Sequence, residues 1–503
     1  MASELTDRSG STRTCAPKEG VDAHPFPITR THLLLFIICC CALHALLRWA
    51  VSETAGIDDV DQILRAQIWS WGYGPQPPLY TWLTRIFLDT FGYSVLSMLL
   101  LKELLILAIY GLVYAATREL TRSHLCALAA TALLQANPSI AWEAHRELTH
   151  SVLASVCSIG TVYFFLRLTP DRWRGYVLFA ACSGLGMLAK YNFAILWLAL
   201  MLAALSVAPI RPLLFNRKML VALLIGLAIC APHFIWVWQH QELAFSHLYK
   251  LKIAQSGKWL AVAAGLKKWV EVIFLDVGPM LGLLALLFWK GVTRLAVATP
   301  RDKLLWRTLF GILVLVTANI VWFSASGVRG RYAQPLFVWL PVLLVAALRD
   351  HLSDGRVKVL VALAAVGAIG IVLAAPGRVL LTEPLGKNEI LNTPFRKLAE
   401  RLKPEVDKAD CLIAENHILG GNLRLHFPNK LVVAPAFGPL FPTASRTAVV
   451  VWDAAKRPVP PRDLLPFAQA FTGKQAFAEL SPIEEVLKYH HQRTARLGVM
   501  VIR

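Results

Sequence analysis

Residues 357–376 read VKVLVALAAVGAIGIVLAAP, an apolar run with one charged side chain, Lys358. A membrane-spanning α-helix needs about 20 predominantly apolar residues. The run therefore predicts a helix that crosses a lipid bilayer, and comparable runs recur along the chain. About eleven spans are predicted in this way, near 31–51, 94–117, 125–141, 149–168, 175–190, 192–210, 219–239, 270–290, 308–326, 333–348 and 357–376.

The composition points to the same class of protein. Of the 503 residues, 56% are hydrophobic and 17% are charged. A soluble domain typically holds about 45–50% apolar and about 25% charged residues, so one large water-soluble enzyme is excluded. The high hydrophobicity also excludes a disordered chain. The formal net charge of +19 is typical of basic residues placed beside membrane spans.

Lysine and arginine residues concentrate in alternate loops, which predicts that these loops are cytoplasmic. Residues 1–30 are polar and lack the apolar core of a signal peptide, so they are interpreted as a disordered cytoplasmic tail. With an odd number of spans, the C-terminal segment then lies on the opposite, periplasmic face. The basic loops lie around 118–122, 167–174, 211–218, 290–307 and 349–358.

The composition changes after the last span, where apolar runs shorten to strand length. This pattern predicts a small α/β or α+β domain over residues 380–503, after a membrane domain over 31–376. Its predicted strands are 411–414, 431–434, 448–452 and 497–502, with helices near 418–425 and 464–471.

The first outer loop, residues 52–93, contains GIDDVDQ at 56–62. Asp58 and Asp61 are three residues apart and would share one face of a helix, with Asp59 between them. A short amphipathic helix in the membrane interface fits this stretch, and a carboxylate there is a candidate general base. A solvated loop with an N-capping aspartate remains an alternative.

The same loop continues as WSWGYGPQPPLYTWL at 69–83. Its aromatic residues, Tyr73 among them, suit the depth of lipid headgroups.

A second outer segment, WEAHRELTH at 142–150, is rich in titratable side chains. Such groups between two spans are costly unless they face water or a site. Glu143, Arg146 and His150 are therefore candidate site residues, and a short wet turn is the alternative. The charges within the second span, Lys102 and Glu103, are interpreted as paired structural charges, and lining of a cavity is the alternative.

Three cations on the outer face are candidate phosphate ligands. Lys190 lies in LAKYN at 188–192, while Arg329 and Arg331 lie in GVRGRYAQP at 327–335. Guanidinium groups bind phosphate bidentately, and snorkelling of the long side chains is the alternative. The chain shows no cysteine or histidine spacing of a metal site, so no metal is predicted.

These motifs together resemble the polyprenyl-phosphate-dependent glycosyltransferases of GT-C fold. This group includes bacterial relatives of protein O-mannosyltransferases, the aminoarabinose transferase of lipid A and rhizobial galacturonosyltransferases of lipopolysaccharide. The Asp58–Gln62 stretch is similar to the acidic motif of the family's first periplasmic loop, and Gln76–Leu79 to the Gln-Pro-Pro-Leu that follows it. Further family elements resemble Asn137-Pro138 with residues 146–150, LAKYN at 188–192, and an arginine motif at residues 329–335.

The resemblance implies an inverting transferase with Asp58 as the base and with Asp59 and Asp61 orienting the base or the acceptor. Lys190, Arg329 and Arg331 would hold the donor phosphate. His150 stands where many relatives carry aspartate, and the family generally needs no metal cofactor. The other residues expected to line the site or bind sugar and acceptor are Gln62, Tyr73, Gln76, Glu143, Arg146, His150, Tyr191 and Tyr332.

The expected function is transfer of one sugar, with galacturonic acid as a candidate, from a polyprenyl-phosphate donor to a lipid A or lipopolysaccharide acceptor. The expected location is the periplasmic face of a bacterial inner membrane, with membrane lipids as neighbours and no nucleic-acid partner. A lipid-linked sugar flippase or transporter is the second alternative. Such a protein would place charged residues along a path within the spans. A non-catalytic envelope assembly protein is the third alternative.

Overall fold

The computed structural model describes residues 27–147, 149–246, 249, 252–253, 257–294, 297–387 and 390–503. The tail predicted over 1–30 therefore lies almost wholly outside the described residues. A helical body is followed by a small sheet domain, so the predicted fold class is confirmed. The helices of the body are α1 (Arg30–Val51), α2 (Ile57–Arg65), α3 (Leu79–Phe91), α4 (Val95–Thr121), α5 (His124–Leu133), α6 (Ala144–Arg146), α7 (His150–Leu166), α8 (Trp173–Ala189), α9 (Phe193–Ser206), α10 (Arg217–Gln239), α11 (Gln241–Ala244), α12 (Lys258–Val292), α13 (Pro300–Phe323), α14 (Gly330–Phe337), α15 (Leu340–Ala347) and α16 (Asp354–Leu380).

Among the described residues, six helices are long and apolar enough to cross a membrane, namely α1, α4, α10, α12, α13 and α16. The number rises to eight if each of two bent pairs forms one span. Each of the eleven predicted runs contains a helix. Helices α7, α8 and α9 have only 17, 17 and 14 residues, below the usual span of about 20. The count of eleven spans therefore stays a prediction.

The bends follow from the sequence. The pair 124–136 and 139–146 is bent by 75° at Asn137-Pro138, because a proline has no amide hydrogen for a continuing helix and restricts the residue before it. The second pair, 330–337 and 340–347, is bent by 51° just before Pro341. The first bend carries the titratable residues 143–147 to the start of α7, and the second places the arginine motif at the start of α14.

The C-terminal domain is a five-stranded mixed sheet in the order β2-β1-β3-β5-β4. Strands β1, β2 and β3 are parallel, and β5 runs antiparallel to both β3 and β4. All the predicted strands and helices of this region are present. Its elements are α17 (Phe395–Lys408), β1 (Cys411–Ala414), α18 (His417–His426), β2 (Leu431–Val433), β3 (Ala448–Asp453), α19 (Leu464–Thr472), β4 (Phe477–Leu487) and β5 (His490–Ile502).

Two elements of this domain have no predicted counterpart. Helix α17 is largely polar, and only a stripe that includes Leu398 and Leu402 is buried. Strand β4 is an edge strand, mostly exposed, with a register shift between Leu480 and Ile483. Pro482 lies within that shift, where a missing amide donor is tolerated. Because β4 is mostly exposed, it lacks the apolar run from which the other strands were predicted.

The sheet domain is joined tightly to the first outer loop. Leu64 of α2 is part of the domain's hydrophobic core. The Gln67 side chain donates to the Val432 carbonyl oxygen at 2.7 Å and accepts from the Val432 amide at 2.9 Å, so it extends the edge of the sheet. Asn422 accepts from the Ala55 amide at 2.7 Å. The domain thus holds α2, the helix that carries the acidic motif.

Helix α18 approaches α2 so closely that only glycine fits at one position. A Cβ atom on Gly421 would lie 2.5 Å from the Val60 Cβ and 2.6 Å from the Val60 carbonyl oxygen. We expect Gly421→Ala to lower the free energy of unfolding by about 1–3 kcal/mol, because such overpacking forces the backbones apart. The matched control is Gly370→Ala in α16, where a Cβ meets nothing within 4 Å. The thermal unfolding midpoints of the two variants measure the difference, and equal midpoints would contradict close packing at Gly421.

Candidate active site

The acidic motif forms the start of α2, as the spacing predicts. Gly56 precedes the helix in an extended conformation, and Asp58 and Asp59 occupy its first turn. Carboxylates are favoured there by the helix dipole. Val60, Ile63 and Leu64 are fully buried, so the apolar residues of α2 anchor it between the body and the sheet domain.

Asp58 faces the arginine motif. Its Oδ2 atom is 3.5 Å from Nη1 of Arg331, and 23% of the Asp58 side chain is exposed. Burial raises the pKa of Asp58 above the usual value, although the positive charge of Arg331 opposes the shift. Asp58 is therefore a half-buried carboxylate with a stronger affinity for a proton than an ordinary aspartate, as suits a general base.

Lys190 joins the same cluster through the backbone of Arg331. Its ammonium group donates to the Ser151 hydroxyl at 2.6 Å and to the Arg331 carbonyl oxygen at 2.7 Å. It also lies 5.2 Å from the centre of the Tyr332 ring. The end of α8 and the starts of α7 and α14 therefore meet beside Asp58.

Asp59 turns the other way and pairs with Lys102 of α4, at 3.2 Å. The two residues are only 7% and 1% exposed. A buried charge is strongly unfavourable without its partner, so this pair fixes α2 against α4. Because Asp58 is the preceding residue of α2, this ion pair also fixes the position of Asp58.

Asp61 pairs with Arg65 within α2, at 2.9 Å. Burial alone would raise the pKa of Asp61, but the Arg65 guanidinium lowers it below the usual value. Arg65 also donates to the Tyr73 carbonyl oxygen and lies 4.8 Å from the centre of the Phe437 ring. This pair links α2 to the aromatic loop and to the sheet domain.

Three further candidates of the first outer loop lie on α2 or in the loop that follows it. Gln62 is buried and accepts a hydrogen bond from Thr81 at 2.7 Å. Tyr73 is also buried, and its hydroxyl donates to the Ile68 carbonyl oxygen at 2.8 Å. Both side chains therefore stabilise the loop. Gln76 is half-buried in the turn before α3.

The second outer segment contributes a charged cluster and a buried histidine. Arg146 pairs with Glu147 at 2.7 Å and lies 4.0 Å from Glu143. Nδ1 of His150 is 3.2 Å from the Ala189 carbonyl oxygen, next to Lys190 in the sequence. With respect to the described residues, Nε2 of His150 is buried without a hydrogen-bond partner.

Two tyrosines and one arginine complete the set. The Tyr191 hydroxyl is 2.9 Å from Nε2 of His233, and Nδ1 of His233 is 2.7 Å from the Trp71 carbonyl oxygen. The Tyr332 ring lies beside the Lys190 ammonium group. Arg329 is not brought to the cluster: its side chain is exposed and forms no hydrogen bond or ion pair with the part of the chain that the structure describes. It lies before the first turn of α14, whereas Arg331 lies within that turn.

Three residues at or beside the cluster were not among the predicted site residues, namely Lys102, Ser151 and Tyr80. Lys102 had a detectable signal, since a lysine inside an apolar helix marks a function or a partner. Ser151 had none, because serine in an apolar run is unremarkable. Tyr80 is fully buried, and the centre of its ring lies 5.5 Å from the centre of the His150 ring. Its hydroxyl has no hydrogen-bond partner among the described residues. In the sequence, Tyr80 lies among aromatic residues of the first outer loop, which predicted only a side chain at the depth of the lipid headgroups.

The cluster combines a carboxylate that can accept a proton, Asp58, with two nearby cations, Arg331 and Lys190. A carboxylate beside a reacting hydroxyl acts as a general base. Fixed positive charges stabilise negative charge that develops on a leaving group. The chemistry that fits is displacement of an anionic leaving group, such as a phosphate, by a hydroxyl.

Comparison with known proteins agrees with this chemistry. Residues 75–236 match the family described as dolichyl-phosphate-mannose-protein mannosyltransferase. Two proteins of Rhizobium johnstonii, the lipopolysaccharide core galacturonosyltransferases RgtB and RgtA, are 29% and 26% identical to this chain. The matches cover 85% and 86% of this chain and 89% and 88% of those proteins.

A solved structure shares the fold over nearly its whole length. ArnT from Cupriavidus metallidurans, bound to undecaprenyl phosphate, superimposes with a TM-score of 0.60. The match covers 94% of this chain and 98% of ArnT at 16% sequence identity. At that identity the likeness establishes the fold, which is the GT-C fold.

Proposed function

We propose that this chain, a glycosyltransferase of the GT-C fold, moves one sugar from a polyprenyl-phosphate donor to a lipid A or lipopolysaccharide-type acceptor. The observation that carries the proposal is the meeting of Asp58 and Arg331 at 3.5 Å, with Lys190 bound to the Arg331 carbonyl oxygen. A proton acceptor and two fixed cations are the groups that the reaction needs.

The proposed reaction is a single displacement. Asp58 accepts the proton of an acceptor hydroxyl while that oxygen forms a bond to the anomeric carbon of the sugar. The bond between this carbon and the phosphate oxygen breaks, and polyprenyl phosphate leaves with the bonding electron pair. Attack opposite the leaving group inverts the configuration at the sugar carbon. Arg331 and Lys190 hold the negative charge of the phosphate, so the displacement requires no metal cofactor.

The remaining candidates have supporting roles in this proposal. Asp59, held by Lys102, and Asp61, held by Arg65, keep α2 in place so that Asp58 faces the donor. His150 and Tyr80 present buried polar atoms without partners among the described residues, which suits contact with the sugar or the acceptor. Arg329 is exposed and would contact the donor phosphate from the rim.

We infer galacturonic acid as the sugar, since two relatives with matches over most of both chains are lipopolysaccharide core galacturonosyltransferases. A uronate carries a carboxylate, and Arg146 at the edge of the site is a cation that such a group would pair with. The proposed location is a bacterial inner membrane. The N-terminus is placed in the cytoplasm and the sheet domain in the periplasm, as the distribution of basic loops indicates.

Reconstitution tests the proposal. The full chain in proteoliposomes is given undecaprenyl-phosphate galacturonate and lipopolysaccharide core–lipid A, and the lipid products are analysed by mass spectrometry. We expect an acceptor that gains one uronate residue, with release of undecaprenyl phosphate. Transfer from a nucleotide sugar alone, or movement of the donor across the bilayer without product, would contradict the proposed function.

A further inference from the structure

Three metal-ligating side chains from three separate segments meet inside the helical body. His44 lies on α1, Glu103 on α4 and His145 on α6. Nδ1 of His44 and Nδ1 of His145 lie 2.7 and 3.0 Å from the same Glu103 oxygen, Oε1. The ligand atoms of all three side chains lie within 4.8 Å of one another. These residues are distinct from the proposed donor-phosphate site.

The cluster is enclosed and has unused capacity for a ligand. His44 and Glu103 are 2% and 5% exposed, and the His145 side chain is 14% exposed. The second carboxylate oxygen of Glu103, Oε2, is buried and has no hydrogen-bond partner among the described residues. A buried carboxylate oxygen without a partner is costly, so the unpaired Oε2 points to a further group at this place.

The spacing suits a zinc ion. Nitrogen and oxygen ligands lie about 2.1 Å from zinc, so neighbouring ligands of a tetrahedral site are about 3.4 Å apart. The observed separations, 2.7 and 3.0 Å to Oε1 and at most 4.8 Å overall, bracket this spacing. Imidazole nitrogens exclude a site built for calcium or magnesium, which prefer oxygen ligands.

A soft donor lies next to the cluster. Cys41 is buried on α1, three residues before His44, so the two side chains share a helix face. The Cys41 thiol lies beside the Glu103 carboxylate. Two histidines and a carboxylate are an established zinc ligand set, and a thiol beside that carboxylate also favours zinc over harder cations.

We propose that His44, Glu103 and His145 bind one Zn²⁺ ion that fastens α1, α4 and the bent segment before α7 together. Glu103 is the neighbour of Lys102, which pairs with Asp59. The ion therefore supports the wall of α4 on which α2 rests, and its role is structural. The ligands are separated by 59 and 42 residues along the chain, so spacing within a motif does not reveal them.

Metal binding by the purified full chain tests this proposal without any transfer assay. The protein is stripped with a chelator and titrated with Zn²⁺ against a competing chromophoric chelator, and the bound metal is counted by mass spectrometry. We expect one Zn²⁺ per chain and a thermal unfolding midpoint that rises with zinc. His145→Ala should weaken zinc binding at least about a hundredfold, since even the loss of an outer-shell partner costs up to that much.

The matched control is His124→Ala. His124 is also a half-buried histidine between two segments, with its ring nitrogens 2.8 Å from the Tyr114 hydroxyl and 2.8 Å from the Ile28 carbonyl oxygen. This variant should bind zinc as the unmodified chain does. If the unmodified chain binds less than one Zn²⁺ tightly, or if His44→Ala and His145→Ala bind it as well as His124→Ala, the zinc site does not exist. The count on the unmodified chain decides the matter even if a variant misfolds.

Discussion

Asp58→Asn is expected to lower the rate of sugar transfer by about 10²–10⁴-fold, the usual contribution of a general base. The amide preserves the size of the side chain but accepts no proton from the acceptor hydroxyl. Since 23% of the side chain is exposed at the start of α2, the variant should fold. The measurement is the initial rate of uronate transfer in proteoliposomes, with the amount of folded protein checked by gel filtration.

Asp89→Asn provides the matched control. Asp89 also pairs with an arginine, Arg85, at 2.5 Å, but it lies on the more exposed surface of α3. Loss of this ion pair should leave transfer unchanged, because exposed pairs contribute little to stability. Equal activity of the Asp58 and Asp89 variants would remove Asp58 from the mechanism.

The pH dependence of the transfer rate is an independent test of Asp58. Transfer requires the deprotonated carboxylate, so the rate should fall as the pH falls through the pKa of Asp58. Because burial raises the pKa of Asp58, this decline should lie above the ordinary aspartate value of about 3.9. In Asp58→Asn the decline should be absent from the residual rate.

Lys190→Met is expected to reduce kcat/KM for the donor by about 10²–10³-fold, the typical effect of removing one fixed donor to developing negative charge. The change removes the ammonium group that Ser151 and the Arg331 carbonyl oxygen hold in place. Methionine keeps much of the length of the side chain, so packing changes little. Kinetics with donor and acceptor varied separately should show the loss in donor use and little change in the KM of the acceptor.

Lys218→Met is the matched control for this variant. The Lys218 ammonium group also donates to a carbonyl oxygen, that of Pro170 at 2.7 Å, and lies 5.4 Å from the centre of the Trp173 ring. It belongs to a loop predicted to be cytoplasmic. Transfer should be unaffected. If Lys190→Met impaired donor and acceptor use equally, the proposed contact with donor phosphate would be wrong.

The sequence alone predicted the class of fold and much of the C-terminal domain. Apolar runs such as 357–376 and strand-length runs such as 448–452 report burial directly, because a helix in lipid and a strand in a core both exclude polar side chains. The acidic motif also predicted the helix over Asp58 and Asp61. Strand β4 was missed because an edge strand has little need of apolar residues.

The local pattern of residues could not specify which charges meet. Arg329 and Arg331 look alike in the sequence, yet only Arg331 reaches Asp58. Lys102 looked like a structural charge within a span, and its partner Asp59 lies 43 residues away along the chain. Helix direction, the bend at Pro138 and the packing of α18 on α2 set these distances, and all three depend on segments far apart in the chain.

The linear order of residues therefore dictated how many apolar segments exist, where they break and which chemical groups lie between them, since these properties follow from local hydrophobicity and backbone restrictions. Folding in three dimensions selected the pairs: Asp58 with Arg331, Asp59 with Lys102, and two distant histidines with one glutamate. The reason is that electrostatic pairing and metal binding depend on separations of a few ångströms in space, which residue spacing along the chain does not encode.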